Sequence, residues 1–247
     1  MNNAVLLFHQ GWTDIVNSLG LINYYSNRCN ELILIVRQDA ASLINYYLRQ
    51  FKNVTPHFYP KEFIENNLGK LAEHYYPREL LFFGVYDVVR KDKYVGQFST
   101  TLPKTFFVEK FFVTYGIDYI NRIECFKFQR DLIAEQENYE IFTNRYGSKY
   151  ILYHEDRARN IFIDKSEFNP ECTWVDLNGI SDVFLDYLLV LQNANSIHCL
   201  DSVWGAVSYQ LDASLGLLKY IPIEVRCLRG HREMFLRPVH LPNWSVV

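Results

Sequence analysis

Apolar residues along this chain follow two alternating rhythms. Short unbroken runs of strand length are followed by longer stretches in which apolar positions recur every three or four residues. The first run, Ala4-Val-Leu-Leu-Phe8, breaks into His9-Gln-Gly-Trp-Thr-Asp14. Behind it, Ile15, Leu19, Ile22 and Tyr25 share one face of a helix expected over residues 14–28. Residues 31–36 read as a strand buried on both faces, followed by a helix near 40–51 and a strand near 54–59. A further helix is expected over 61–75, and Glu79-Leu-Leu-Phe-Phe83 is a fourth strand. Strands alternating with helices in this way predict a parallel, doubly wound sheet.

Residues 85–105 break the rhythm, with Gly84, Gly96 and Pro103 in or beside them, and read as a long excursion. Helical patterns follow at 106–115 and 131–146. The strand–helix rhythm then restarts with a strand at 150–153, which breaks into His154-Glu-Asp-Arg-Ala-Arg159. Strands are expected at 160–164 and 173–177, and an apolar-all-round, buried helix at 183–191. A strand at 196–200 meets Asp201-Ser202, a helix runs on to 211, and 217–221 is expected as the last strand. The predicted fold class is therefore α/β, with two facing Rossmann-like domains and a central cleft. The domains are residues 1–147 and 148–247, and the tail from Arg226 onward is expected to pack back on the first domain. No repeat at solenoid spacing and no low-complexity segment interrupts this plan.

Composition narrows the function classes. With 49% hydrophobic and 16% aromatic residues in 247, the chain has the material for real cores and is not a disordered protein. A formal net charge of −3 excludes a general nucleic-acid binder, whose footprint is strongly basic. Cys29, Cys125, Cys172, Cys199 and Cys227 are dispersed, without a CxxC or a Cys/His pair at metal spacing, and read as reduced thiols. No signal peptide and no membrane span are expected, so the protein is expected to be cytoplasmic.

Three strand ends carry the candidate chemistry. In the first, Gly11 would permit close backbone approach, and Asp14 is either a helix cap or a general base that removes a proton from an acceptor hydroxyl. His9 is a second catalytic candidate, set against a structural histidine. Trp12 and Trp204 are sugar-stacking platforms or core fillers. In the second turn, His154, Arg157 and Arg159 suit a phosphate, because the guanidinium fork matches phosphate oxygens; the alternative is a solvated charged loop. In the third, the helix start after Asp201-Ser202 would bring backbone amides to the same anion. His198 lies within an apolar strand and reads as core, and Asp131 reads as a helix N-cap. Gly11 stands without the further glycines of a GxGxxG, and no GxxxxGK[ST], GxSxG or HExxH occurs.

These residues also resemble a known family. Gly11-Trp-Thr-Asp14 after a strand is similar to the N-terminal GxGD-type turn of GT-B glycosyltransferases related to the heptosyltransferase-like families, with Thr13 where the second glycine usually stands. Asn193-Ala-Asn-Ser-Ile-His-Cys-Leu-Asp-Ser202 resembles their C-terminal strand and turn near the donor. Tyr150-Ile-Leu-Tyr-His-Glu-Asp-Arg157, Arg130-Asp131 and Leu241-Pro-Asn-Trp244 also resemble segments of uncharacterised relatives. The resemblance implies an N-terminal acceptor domain, a C-terminal nucleotide-sugar domain and metal-independent transfer, inverting, with no cofactor beyond the nucleotide-sugar co-substrate. Asp14 would be the base, and Arg157 with the Asp201-Ser202 turn would lie near the diphosphate. The partners implied are a nucleotide-sugar donor and a glycan or other hydroxyl acceptor. A nucleotide-sugar epimerase or hydrolase on the same fold, and a non-catalytic glycan- or protein-binding relative, are the alternative readings.

Overall fold

The computed structural model describes residues 3–75, 78–83, 107–113, 115–166, 168–181, 183–227, 233–236 and 239–247. It divides into two compact units, Met1–Gln129 and Arg130–Val247, each built on a parallel sheet.

In the first unit, β1 (Asn3–Phe8), β2 (Glu31–Arg37), β3 (Val54–Tyr59) and β4 (Glu79–Phe83) lie in the order β3-β2-β1-β4. All the pairings are parallel, with Leu6 opposite Leu34 and Phe8 opposite Val36. A parallel sheet is covered on both faces, which is why β1 and β2 read as continuous apolar runs. Val5, Leu7, Ile33 and Ile35 pack against Ile64, Leu71, Ala72 and Tyr75, while the intervening Leu6, Leu32 and Leu34 are also fully buried. Helix α1 (Trp12–Ser26) follows β1, and α2 (Ala41–Leu48) follows β2. The helix expected at 61–75 is two helices, α3 (Lys61–Asn66) and α4 (Leu68–Tyr75), because Asn67 leaves the helical region at φ −128, ψ 21. The pattern at 106–115 forms α5 (Phe107–Val113), and α6 (Asn121–Glu124) was not anticipated. Gly20 is what lets α6 lie against α1: a Cβ there would sit 2.8 Å from the carbonyl of Arg122. The excursion expected at 85–105 lies outside the described residues.

The second unit begins earlier than the expected boundary at 147. Helix α7 (Leu132–Tyr146) belongs to it. Phe142 packs edge-on against Tyr150 at 4.7 Å, and Asn138 Nδ2 donates to the carbonyl of Asp186. Asp131 caps α7 as expected, accepting from Ala134 N at 3.1 Å. Strands β5 (Tyr150–His154), β6 (Thr173–Asp176), β7 (Ser196–Leu200), β8 (Ile223–Arg226) and β9 (Trp244–Val246) lie in the order β6-β5-β7-β8-β9, again parallel. Helices α8 (Leu188–Gln192), α9 (Val203–Leu215) and α10 (Glu233–Leu236) complete it.

Several expectations need correcting here. Residues 160–164 are not a strand: Asn160 takes a left-handed φ of 54, and Ile161 forms only an isolated bridge to Asp156. The helix expected at 183–191 is a 3-10 turn, Phe184–Tyr187, followed by α8. The expected strand at 217–221 is a turn, closed by Leu218 N donating to Asp212 Oδ1 at 3.0 Å; the strand comes after Pro222. The end of the tail is part of the second sheet. It supplies β9, and Asn243 Nδ2 donates to Asp212 Oδ2 and to the carbonyls of Leu218 and Ile221, while Trp244 Nε1 donates to Asp212 Oδ2 at 2.9 Å. The Leu241-Pro-Asn-Trp244 segment therefore locks the edge strand to the end of α9.

Candidate functional site

In an open parallel sheet, ligands bind beyond the carboxyl ends of the strands, where the order of connection reverses. In the first sheet that reversal falls between β1 and β4, and in the second between β5 and β7. The turn after β1 carries His9, Gly11, Trp12 and Asp14; those after β5 and β7 carry His154–Arg159 and Asp201-Ser202. All three turns picked out from the sequence thus stand at reversal points. The stretch after β4 lies outside the described residues.

In the second unit two of the predicted residues, 48 positions apart, come together: Ser202 Oγ and His154 Nδ1 are 2.7 Å apart, both buried. This contact has a consequence for α9. Serine at a helix N-cap normally accepts from the N2 or N3 amide. Ser202 occupies that position in extended geometry, φ −135 and ψ −172, but makes no such bond. Its hydroxyl is turned instead to His154 and to the carbonyl of Leu200 at 3.3 Å. The first helical bond, Ala206 N to Ser202 O, is made at 2.9 Å. The amides of Val203, Trp204 and Gly205 have no acceptor among the described residues, although Trp204 and Gly205 are buried. A buried helix start left open in this way suits an anion, which accepts from several N–H groups and meets the positive end of the helix dipole.

Gly205 keeps this opening close to the sheet. A Cβ there would lie 2.9 Å from the carbonyl of Leu200 and 3.2 Å from the Phe235 ring. Its signal in the sequence was a lone glycine one turn into a helix, which usually marks a packing requirement. Asp201 is fully buried, with its N–H donating to the carbonyl of Arg226 at 3.2 Å.

The guanidinium groups do not join His154. Arg157 pairs with Asp176 at the end of β6, and Arg159 with Asp156, whose carboxylate also accepts from Arg159 N. Both side chains are about 60% exposed (64% and 60%). Glu155, in the charged run after β5, is 3% exposed; it accepts from Ile163 N and pairs with Lys165 at 2.8 Å. Trp204 is core, edge-on to Phe184 with Nε1 donating to Leu177 O, which removes it as a stacking platform. His198 is partly buried rather than core, beneath the Phe168 ring and 2.9 Å from Ser196 Oγ.

In the first unit, Gly11 and not Asp14 stands at the N-cap of α1, in an extended conformation and without a capping side chain. Asp14 is in the first turn, its N–H donating to Gly11 O, and its Oδ2 lies 4.0 Å from where a Cβ on Gly11 would be. A side chain at 11 would therefore reach the space next to this carboxylate, so glycine keeps the approach open. Trp12 is half-buried at the first helical position. His9 is 7% exposed, its ring contacting Gln10 Nε2 at 3.1 Å, and its Nδ1 has no partner among the described residues. Burial holds its imidazole below the usual histidine range, against the pull of Glu65 and helped by Lys61 and Arg37. Arg37, unremarked in the sequence, ties β2 to this turn by donating to Gln10 O at 3.1 Å. It also lines a pocket of about 400 Å³ with Gln38, Asp39, Pro60, Lys61 and Glu62.

Among the described residues, no cluster of three His, Cys, Asp or Glu side chains could hold a metal ion, and no helix is long and apolar enough to cross a membrane. In sequence the chain matches no protein-family model and no curated protein. In fold it is similar to the crystal structure of the glycosyl transferase family 9 from Veillonella parvula DSM 2008. The TM-score is 0.58 at 7% identity, over 100% of this chain and 85% of that one. At such identity the likeness is one of fold, and activity has to be argued from the site.

Proposed function

We propose that this chain is a glycosyltransferase that moves a sugar from a nucleotide-sugar donor to a hydroxyl of a glycan or other acceptor. The observation that carries the reading is the open start of α9. The N–H groups that open α9, at a sheet reversal point beside the Ser202 hydroxyl, have no acceptor among the described residues, in a chain whose fold resembles a glycosyl transferase. In the proposed reaction the bond between the anomeric carbon and the diphosphate oxygen breaks, while the acceptor oxygen bonds to that carbon. Negative charge builds on the departing diphosphate, where fixed N–H dipoles lower the barrier most. His154, Ser202 and the Asp201 turn take the donor, and Arg157 and Arg159 are exposed guanidiniums able to exchange their carboxylate partners for phosphate oxygens.

The acceptor's proton goes to Asp14, whose carboxylate stands beside the opening left by Gly11. His9, neutral and buried, is the second candidate for that role. Transfer inverts the anomeric centre if the acceptor attacks opposite the leaving group. The reaction is proposed to need no metal, because amides, Ser202 and the arginines neutralise the diphosphate. The five described cysteines are free thiols, which supports placing the enzyme in the reducing cytoplasm.

A thermal-shift screen of nucleoside diphosphates and nucleotide sugars tests the donor site, since a ligand held by the native state raises the midpoint. Release of nucleoside diphosphate that depends on an added acceptor identifies transfer; release without acceptor identifies hydrolysis instead. A panel in which no nucleotide raises the midpoint overturns the reading. Turnover lost on chelation and restored by magnesium or manganese overturns its metal-free form.

A further inference from the structure

We propose that His154 is a positioning residue: the proton on its Nδ1 decides whether the Ser202 hydroxyl can donate to an anion at the start of α9. The proposal rests on the reading above, that this helix start takes the diphosphate.

A serine hydroxyl has one hydrogen and two lone pairs. Ser202 Oγ has His154 Nδ1 at 2.7 Å and the Leu200 carbonyl at 3.3 Å. When Nδ1 is unprotonated it is an acceptor, and the serine hydrogen goes to this shorter contact. The oxygen then presents only lone pairs to the α9 amides and repels a phosphate oxygen. When Nδ1 carries a hydrogen the direction reverses. The imidazole donates to Oγ, and the hydroxyl hydrogen is released to point at the anion. That state is reached by protonating the imidazole, which an anion favours. The hydroxyl is available for this exchange because it does not cap α9.

Titratable and charged groups flank His154 on the neighbouring strand ends. Cys199, its register partner on β7, is held as a thiol by burial. At the neighbouring strand ends Glu155 pairs with Lys165, Asp176 with Arg157, and Arg226 with Glu224, while Asp201 is buried at the end of β7. The first turn of α9 carries no acidic residue.

Inorganic pyrophosphate is the probe, titrated calorimetrically into the full chain from about pH 8 down to about pH 5.5, the span in which histidine changes charge. In the variant His154→Asn an amide takes the place of Nδ1 without a titrating proton. The ratio of the two dissociation constants therefore cancels the titration of pyrophosphate itself. Wild type is expected to gain roughly tenfold or more over His154→Asn on acidification, the worth of one hydrogen bond to a charged group. In a Ser202→Ala background that gain should disappear.

Parallel profiles for wild type and His154→Asn overturn the proposal. So does a gain that persists without the Ser202 hydroxyl, since His154 would then act through its charge alone. Nitrogen-15 spectra of the wild-type imidazole give a test that needs no variant: pyrophosphate should convert Nδ1 from unprotonated to protonated, and an unchanged Nδ1 also overturns the proposal. Pyrophosphate that binds no protein at any pH sinks the anion site itself, an outcome distinct from binding with parallel profiles.

Discussion

Gly205→Ala tests how packing positions the helix start. The added methyl would lie 2.9 Å from Leu200 O and 3.2 and 3.3 Å from two carbons of the Phe235 ring, where ordinary contact begins at 3.4 Å. The ring can rotate or slide. The carbonyl is held in place, because it accepts from Ser202 N at 2.8 Å and ends a strand paired on both sides. The first turn of α9 must therefore back away by about half an ångström. Overpacking of this kind costs about 1–3 kcal/mol, offset by up to about 1 kcal/mol because alanine favours the helix over glycine. A net loss of about 1–2 kcal/mol is expected, at roughly 2–4 °C of midpoint per kcal/mol for a chain of 247 residues. Because the amides move with the turn, pyrophosphate affinity should fall by about tenfold, in keeping with the steep dependence of such sites on placement. Denaturation curves and calorimetric titration measure the two effects separately. Adding Phe235→Leu removes the ring contacts but not the carbonyl, so affinity should remain reduced. Wild-type midpoint and affinity in Gly205→Ala would refute the argument that this glycine sets the height of α9 above the sheet.

Three further outcomes follow from the same structure. Asp14→Asn should leave pyrophosphate binding intact and cut turnover by roughly 10²–10⁴-fold, the usual share of general base catalysis; full turnover in this variant passes the role to His9. Asp212→Ala strands the donors of Leu218, Asn243 and Trp244 around a buried carboxylate site, so a loss of about 3 kcal/mol or more is expected in urea unfolding, and a change under about 1 kcal/mol would show that β9 is anchored otherwise. Burial holds the His9 imidazole below its ordinary value near 6.5, so on acidification the unfolded chain takes up its proton first. Stability from this group is whole above that value and is lost as pH falls toward the depressed one. The fall in unfolding free energy between about pH 7 and pH 5 should shrink in His9→Gln, and an equal fall in both proteins counts against it.

Local pattern determined much of the architecture. Continuous apolar runs bounded by abrupt breaks identify β1, β2 and β5, because a strand covered on both faces needs no polar partner in its own segment. Asp131 could be read as a cap because a cap acts within one turn of its own helix. The same breaks located all three turns at the carboxyl ends of strands, and so the places where ligands are to be expected. Asp14, however, was one turn too far along to be the cap, since Gly11 with its small footprint starts the helix first.

What the tertiary structure alone decided depends on residues distant in sequence. Strands Ile223–Arg226 and Trp244–Val246 have four and three residues, too short for a period to register. They are strands because β7 offers a free edge and Asn243 and Trp244 fasten to Asp212. The apolar run at 217–221 looked more like a strand than either, but Asp212 captures the Leu218 amide and turns it. Helix α7 belongs to the second unit because Phe142 finds Tyr150 across a loop, a partner no window on the helix contains. The candidate site divided in the same way. Its residue types were legible, yet His154 meets Ser202 while Arg157 turns to Asp176, because sheet order sets which strand ends adjoin: β7 lies on one side of β5 and β6 on the other.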